Sequence, residues 1–243
     1  MSDTAVHLMK SYQAQLREGL ARVRETIGAA AERSGRSADS VEIMAVTKGH
    51  PLEALQAALE VGVEDLGENR VSELERKRAA LADDPRPRWH MVGHVQSRKA
   101  PRIRGTAQVL HSLDSLKLAE RFERTAPEAG EPLPVFVQVN TSGEDAKYGF
   151  SPEEFRVQIR RILELPSLRV KGLMTMAPYT DDESVLRATF RGLRELQEEA
   201  HSTVEGYTGH ELSMGMSNDF ELAVEEGSTM VRLGTVLLGE RPG

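Results

Sequence analysis

Lys48 closes the segment Val41-Glu42-Ile43-Met44-Ala45-Val46-Thr47-Lys48-Gly49-His50-Pro51. Its first six residues are apolar except for Glu42 and read as a buried parallel strand. Gly49 and Pro51 stop the run, and a helical pattern starts at Leu52. A lysine at the C-terminal mouth of such a strand stands where α/β proteins do chemistry. Burial lowers its pKa, and a neutral amine can form a Schiff base with a carbonyl. The same position also suits a lysine that only snorkels into solvent. The seven lysines are Lys10, Lys48, Lys77, Lys99, Lys117, Lys147 and Lys171. Five fall on helices or loops, Lys171 begins a strand at the wrong end, and Lys48 alone joins a strand interior to the mouth. Period-two alternation puts Met44, Val46 and Lys48 on one face.

Two segments offer anion chemistry. Gly215-Met216-Ser217 leads into a helix whose free N–H groups favour a phosphate. Gly234-Thr235 allows close backbone approach and adds a hydroxyl. Ordinary turns and caps use the same residues. His90 and His94 lie four apart on a strand and its turn, as a metal pair or as packing groups bonded to loop backbone. The chain has no cysteine and no HExxH pattern, and no Ser-His-Asp arrangement stands out. The basic stretch Arg98-Lys99-Ala100-Pro101-Arg102-Ile103-Arg104 suits a solvated helix face or a small anion nearby.

These residues need elements to position them. Leu8, Tyr12, Leu16, Leu20, Val23 and Ile27 recur at helical steps and predict a helix over 7–34, ended by Ser34-Gly35-Arg36-Ser37. Apolar runs starting near 41, 63, 88, 107, 134, 168, 210 and 228 predict eight strands. Helical patterns fall at about 52–61, 69–82, 96–103, 115–127, 152–164, 183–201 and 218–226, the alternation of βαβ units. Ser151-Pro152-Glu153-Glu154 predicts a capping box, Thr180 and Glu183 repeat its spacing, and Asn218 can cap the helix carrying Glu221. No linker divides the chain, so residues 1–243 read as one domain. The expected fold is a (β/α)8 barrel (TIM barrel) of the α/β class with an additional N-terminal helix. A doubly wound open sheet is the alternative, disfavoured because no G-x-G-x-x-G follows the first strand.

A barrel gathers strand C-terminal ends at its site. Here those ends carry Lys48, Asn69, His90, His94, His111, Asn140, Met174, Ser213 to Ser217 and Arg232 to Thr235. The opposite ends carry Glu42, Arg88, Pro134 and Lys171. The net charge of −7 argues against general nucleic-acid binding. The longest apolar runs fall short of a membrane span, and the N-terminus has no signal-peptide core. With cysteine absent, this composition predicts a cytoplasmic protein without disulfides or thiolate metal sites.

With these residues assembled, the chain resembles the pyridoxal 5′-phosphate (PLP) homeostasis proteins, single-domain relatives of the fold-type III alanine racemase barrel. The resemblance is carried by Ala45-Val46-Thr47-Lys48, Leu66-Gly67-Glu68-Asn69-Arg70-Val71, Trp89-His90-Met91-Val92-Gly93-His94, Lys147-Tyr148-Gly149, Leu212-Ser213-Met214-Gly215-Met216-Ser217 and Met230-Val231-Arg232-Leu233-Gly234-Thr235. It runs through nearly all of the chain from residue 41. Gly49-His50 departs from the family's threonine-centred turn, and Arg98 from its usual asparagine.

The resemblance implies that Lys48 carries PLP through a Schiff base. It implies that Ser213, Ser217, Gly234 and Thr235 hold the phosphate and that Arg232 faces the pyridine nitrogen, with Asn69 also in the cofactor site. A guanidinium stays protonated, so the ring nitrogen should not be, and the ring becomes a weaker electron sink. The expected function is storage, buffering or delivery of PLP within the cell, with PLP-dependent apo-enzymes as partners and no turnover. No metal, nucleic acid or membrane is expected, and the chain is expected to be a monomer. The competing reading is a PLP-dependent amino-acid racemase. Such a racemase brings a second, β-rich domain and a tyrosine base, whereas this sequence stops at Gly243 and its tyrosines are Tyr12, Tyr148, Tyr179 and Tyr207.

Overall fold

Parallel strands covered on both faces must be apolar nearly throughout, and the eight apolar runs of this chain meet that demand. In a computed structural model, which describes residues 3–144 and 147–241, they form β1 (Glu42–Val46), β2 (Asp65–Glu68), β3 (Arg88–Met91), β4 (Val109–Leu113), β5 (Leu133–Gln138), β6 (Leu168–Met174), β7 (Glu211–Ser213) and β8 (Met230–Leu233). The strands pair in chain order and close into a barrel, so the expected fold holds. The outermost residues of the predicted span, 1–2 and 242–243, lie outside the described residues. Closure sets β8 beside β1, with Met44 opposite Arg232 and Ala45 opposite Leu233.

The ring of helices comprises α1 (Asp3–Arg33), α2 (Leu52–Glu60), α3 (Val71–Ala80), α4 (Ala100–Arg104), α5 (Leu116–Arg124), α6 (Pro152–Leu163), α7 (Glu183–Thr203), α8 (Phe220–Glu225) and α9 (Thr235–Leu238). The sequence pattern did not predict α9, a single turn too short to show a period. Helix α1 buries Tyr12, Leu16, Leu20, Val23 and Ile27 against α2, α8 and α9, filling the gap that short α9 leaves in the ring. Leu8 of the predicted stripe is exposed, because α1 begins beyond the barrel wall.

Inside the barrel, Met44, Val46 and Met230 pack as one cluster and Val109, Phe136 and Met174 as another. Gly67 makes room for the first, since a Cβ there would lie 2.6 Å from Met44 Sδ.

Several local expectations need correction. The capping box at Ser151 and Glu154 forms. Helix α7, however, is capped by Asp182, whose carboxylate accepts from the Ser184 and Val185 N–H groups, while Thr180 accepts from the Asp182 N–H. At α8 the cap position falls on Asp219 instead of Asn218, and the Asp219 carboxylate turns back to accept from the Met216 N–H. Lys171 is the fourth residue of β6, not its first. It stands at a register shift between β5 and β6, and its ammonium pairs with Glu211 at 2.8 Å. In the basic stretch, Arg102 pairs with Glu75, and Arg104 donates to the Phe122 and Ser167 carbonyls.

Candidate functional site

A cavity of about 230 Å³ opens at the C-terminal ends of the strands. Six of the seven residues expected in the site line it: Lys48, Asn69, Ser217, Arg232, Gly234 and Thr235. A roomier hollow of about 480 Å³ lies beneath α1 at the opposite strand ends. Its Asp65 is already paired with Arg88, and no lysine lines it, so the smaller cavity is the better candidate for chemistry.

Lys48 follows directly on β1, and both of its neighbours are pinned. Lys77 of α3 donates to the Thr47 carbonyl at 2.7 Å, the Thr47 hydroxyl donates to Glu68, and the Gly49 N–H donates to Glu73 at 2.8 Å. Lys77 ties the two carboxylates together, at 2.7 Å from Glu68 and 2.8 Å from Glu73. Burial, joined by the positive field of Arg241, holds the Lys48 amine below the ordinary lysine range, with Glu68 pulling the other way. A larger share of the amine is therefore neutral and nucleophilic at a given pH.

Arg232 is buried on β8, with 5% of its surface exposed to the cavity side. Nη1 donates to the Ser213 carbonyl at 2.6 Å and to its hydroxyl at 2.8 Å, and Nη2 donates to the Thr175 carbonyl at 2.8 Å. The Nε–H and the second Nη2 hydrogen remain as donors without a protein partner among the described residues. Burial pushes the guanidinium down to about 10, opposed by Asp219, so it stays charged at neutral pH.

Ser213 is the one expected residue that does not line the cavity. It is fully buried beneath Arg232, with its hydroxyl between Arg232 and His111. The Gly234 and Val236 N–H groups donate to Ser217 Oγ at 3.3 and 3.4 Å, bonds long enough for a charged oxygen to displace. Asn69 is fixed by close packing of its backbone on Gly93, where no Cβ could fit, and its Oδ1 is buried without a partner among the described residues. An orphaned acceptor, unused guanidinium donors, weakly engaged N–H groups and an accessible amine make a donor set suited to an anionic aromatic aldehyde.

The two histidines considered for a metal serve apart. His94 Nδ1 lies 2.7 Å from Asp114, and its ring stacks on Tyr148. His90 is buried in the barrel against Asp65 and His111. Sequence reasoning missed two residues of the wall, His50 and Arg241. His50 was visible only as a departure after Lys48. Arg241 sits in a short tail with no periodicity and gave no signal.

The chain matches the family model for the alanine racemase N-terminal domain over residues 20–242. It is 40% identical over 224 residues to a pyridoxal phosphate homeostasis protein of Aquifex aeolicus, an alignment covering 92% of this chain and 97% of that one. The solved structure of PipY from Synechococcus elongatus without PLP superposes with a TM-score of 0.83 at 35% identity, covering 92% of this chain and 100% of PipY. PipY with PLP bound superposes with a TM-score of 0.77 at 36% identity, covering 82% and 93% of the two chains. On sequence and on fold alike, this chain belongs to the pyridoxal phosphate homeostasis protein family.

Proposed function

We propose that the chain binds PLP at the barrel mouth and holds it for storage, buffering or delivery to PLP-dependent apo-enzymes, without turning over a substrate. The observation that carries this reading is the convergence of Lys48, Arg232, Ser217, Gly234 and Thr235 on one small cavity from the adjacent strands β1 and β8 and the turn after β7. The relative PipY is known with PLP bound, which supports the same ligand here. PLP supplies an aldehyde to which an amine can attach covalently, and Lys48 is the only lysine lining the cavity. Ser217, Thr235 and the Gly234 N–H would hold the phosphate, Asn69 would meet a polar ring substituent, and Arg232 would donate to the pyridine nitrogen. Ser213 would act through Arg232. The whole chain would work as one unit, as a monomer and in the cytoplasm.

The wall of the cavity also favours holding over turnover. Among the described residues its titratable side chains are Lys48, His50, Arg232 and Arg241. Lys48 and His50 come from the same turn, and no carboxylate, tyrosine or histidine from another loop lines the cavity among the described residues. Racemisation needs proton-handling groups on both faces of the bound molecule. A guanidinium that stays charged beside the ring nitrogen further weakens the ring as an electron sink.

Purified protein should show a visible absorbance band, and borohydride should fix the label on Lys48 in peptide maps. A label on Lys99 or Lys147 would sink the assignment. Loaded protein incubated with L- and D-alanine in deuterium oxide should show negligible α-proton exchange over hours. Exchange that disappears in Lys48→Ala would make the chain an enzyme.

A further inference from the structure

Five polar side chains form one unbranched line through the barrel interior. Arg232 Nη1 lies 2.8 Å from Ser213 Oγ, Ser213 Oγ 2.9 Å from His111 Nδ1, His111 Nε2 2.9 Å from His90 Nδ1, and His90 Nε2 2.8 Å from Asp65 Oδ1. All five residues are buried. At its foot the line reaches Arg88 on the opposite face of the barrel, which pairs with Asp65.

One arrangement of the hydrogens in this line leaves every donor partnered. Ser213 Oγ accepts from the guanidinium, and His111 Nδ1 is the acceptor within reach of its hydrogen among the described residues, so that hydrogen goes to His111. The charged groups facing His111 are Arg232 from β8 and Lys171 from β6, the latter paired with Glu211 of β7, while His90 faces it from β3 and Phe136 of β5 stacks on the ring. Full burial in that company keeps His111 neutral, so its remaining proton is on Nε2 and points to His90. His90 then accepts on Nδ1 and donates from Nε2 to the Asp65 carboxylate. Every donor points from Arg232 toward Asp65, and every intervening group turns its negative end to the guanidinium. A buried guanidinium bonded to no carboxylate among the described residues is thereby solvated by a file of oriented dipoles anchored on a distant charge.

We infer that Asp65, His90 and His111 are positioning residues that lock Ser213 as an acceptor for Arg232, and so hold the guanidinium's free edge toward the ring nitrogen of the bound cofactor. This inference rests on the PLP reading above and extends it to three residues outside the cavity. His111→Phe keeps ring volume and the stack on Phe136 but breaks the line. His111→Gln offers a carbonyl to Ser213 and an N–H to His90, and should restore it.

The test combines titration with PLP carrying a nitrogen-15 label in its ring and imidazole nitrogen-15 spectra of the cofactor-free protein. His111→Phe should weaken PLP by at least about tenfold and shift the ring-nitrogen resonance, with phosphate affinity unchanged. His111→Gln should recover most of both. In the unsubstituted protein, His90 and His111 should both be Nε2–H tautomers, and His111 should not titrate between about pH 5 and 8. A folded His111→Phe variant with unchanged PLP affinity and ring-nitrogen signal would overturn the inference. So would an Nδ1–H tautomer at either ring, or a titration of His111 in that window. Failure of the unsubstituted protein to bind PLP would sink the function proposed above, and the imidazole spectra would still decide the line. Those spectra equally decide it if His111→Phe does not fold.

Discussion

Lys77 Nζ donates to the Thr47 carbonyl at 2.7 Å, one peptide bond ahead of Lys48. The bond ties α3 to the turn that presents the reactive amine, and the carboxylates holding Lys77 also grip the Thr47 hydroxyl and the Gly49 N–H. Lys77 is 1% exposed and Glu68 is fully buried, so this is a buried ion network, whose single partners cannot be removed cheaply. Lys77→Met should lower stability by about 3–5 kcal/mol, because Glu68 would be left buried without a cation. Urea unfolding checks the loss. Lys77→Met combined with Glu68→Gln should recover part of it, and a double variant no more stable than the single one would mean that the Thr47 contact, not the charge, carries the effect.

The depressed pKa of Lys48 gives a pH prediction with a definite sign. Burial and Arg241 both disfavour the ammonium, so the neutral amine should appear at lower pH than for an exposed lysine. Rates of labelling by a small aldehyde under reducing conditions should rise with pH through a midpoint below about 10.4, the ordinary lysine value. Arg241→Gln removes a positive neighbour and should move that midpoint upward. A downward move would mean that Arg241 shields the amine from solvent more than it repels charge.

Phosphate recognition separates two ligands that share a ring. Ser217→Ala and Thr235→Ala should each weaken PLP by about 1.5–3 kcal/mol, while leaving pyridoxal, which lacks the phosphate, nearly unaffected. Fluorescence titration of both ligands measures the difference. Equal losses for the two would show that these hydroxyls do not read phosphate.

Gly49 adopts φ +75°, and a Cβ there would lie 2.9 Å from Arg241 Cδ. The side chain of Arg241 can give way, but the left-handed backbone cannot be relieved. Gly49→Ala should therefore cost about 1–2 kcal/mol of stability. It should also raise the Lys48 midpoint by displacing Arg241, and a stability loss without that rise would place Arg241 farther from the amine in solution.

The strand ends were legible because parallel pairing demands apolar runs, and each run of this chain stops at a polar or small residue. Lys48, Arg232 and Thr235 could thus be placed at one mouth from local pattern alone. Ser213 was read at the end of β7, where it lies, and was expected to hold phosphate, with no sign of what its hydroxyl meets in the barrel. Its hydroxyl meets His111, 102 residues away, and nothing local encodes which of two buried groups a serine will face. The line from His111 to Asp65 was invisible for the same reason: barrel closure creates it, and each member reads as an isolated polar residue in an apolar strand. The cap at Thr180 failed because Asp182 takes the first N–H groups of α7, and the one at Asn218 because α8 starts one residue later with no side-chain cap bond, neither of which sequence spacing ranks.

Helix α1 packs against α2 and also against α8 and α9, with Gly19 so near α9 that a Cβ would lie 2.9 Å from the Val236 carbonyl. Helices α1 and α9, far apart in sequence, are neighbours across the seam where β1 meets β8. During synthesis α1 and β1 leave the ribosome before β8 and α9 and wait, with one flank bare, for the rest of the barrel to follow. The cavity shares that order, since Lys48 emerges well before Arg232, Gly234 and Thr235. A chain that has not yet made β8 therefore lacks this cavity, and a ligand of the cavity can meet only the closed barrel, its binding energy available to stabilise that barrel but not to guide its assembly.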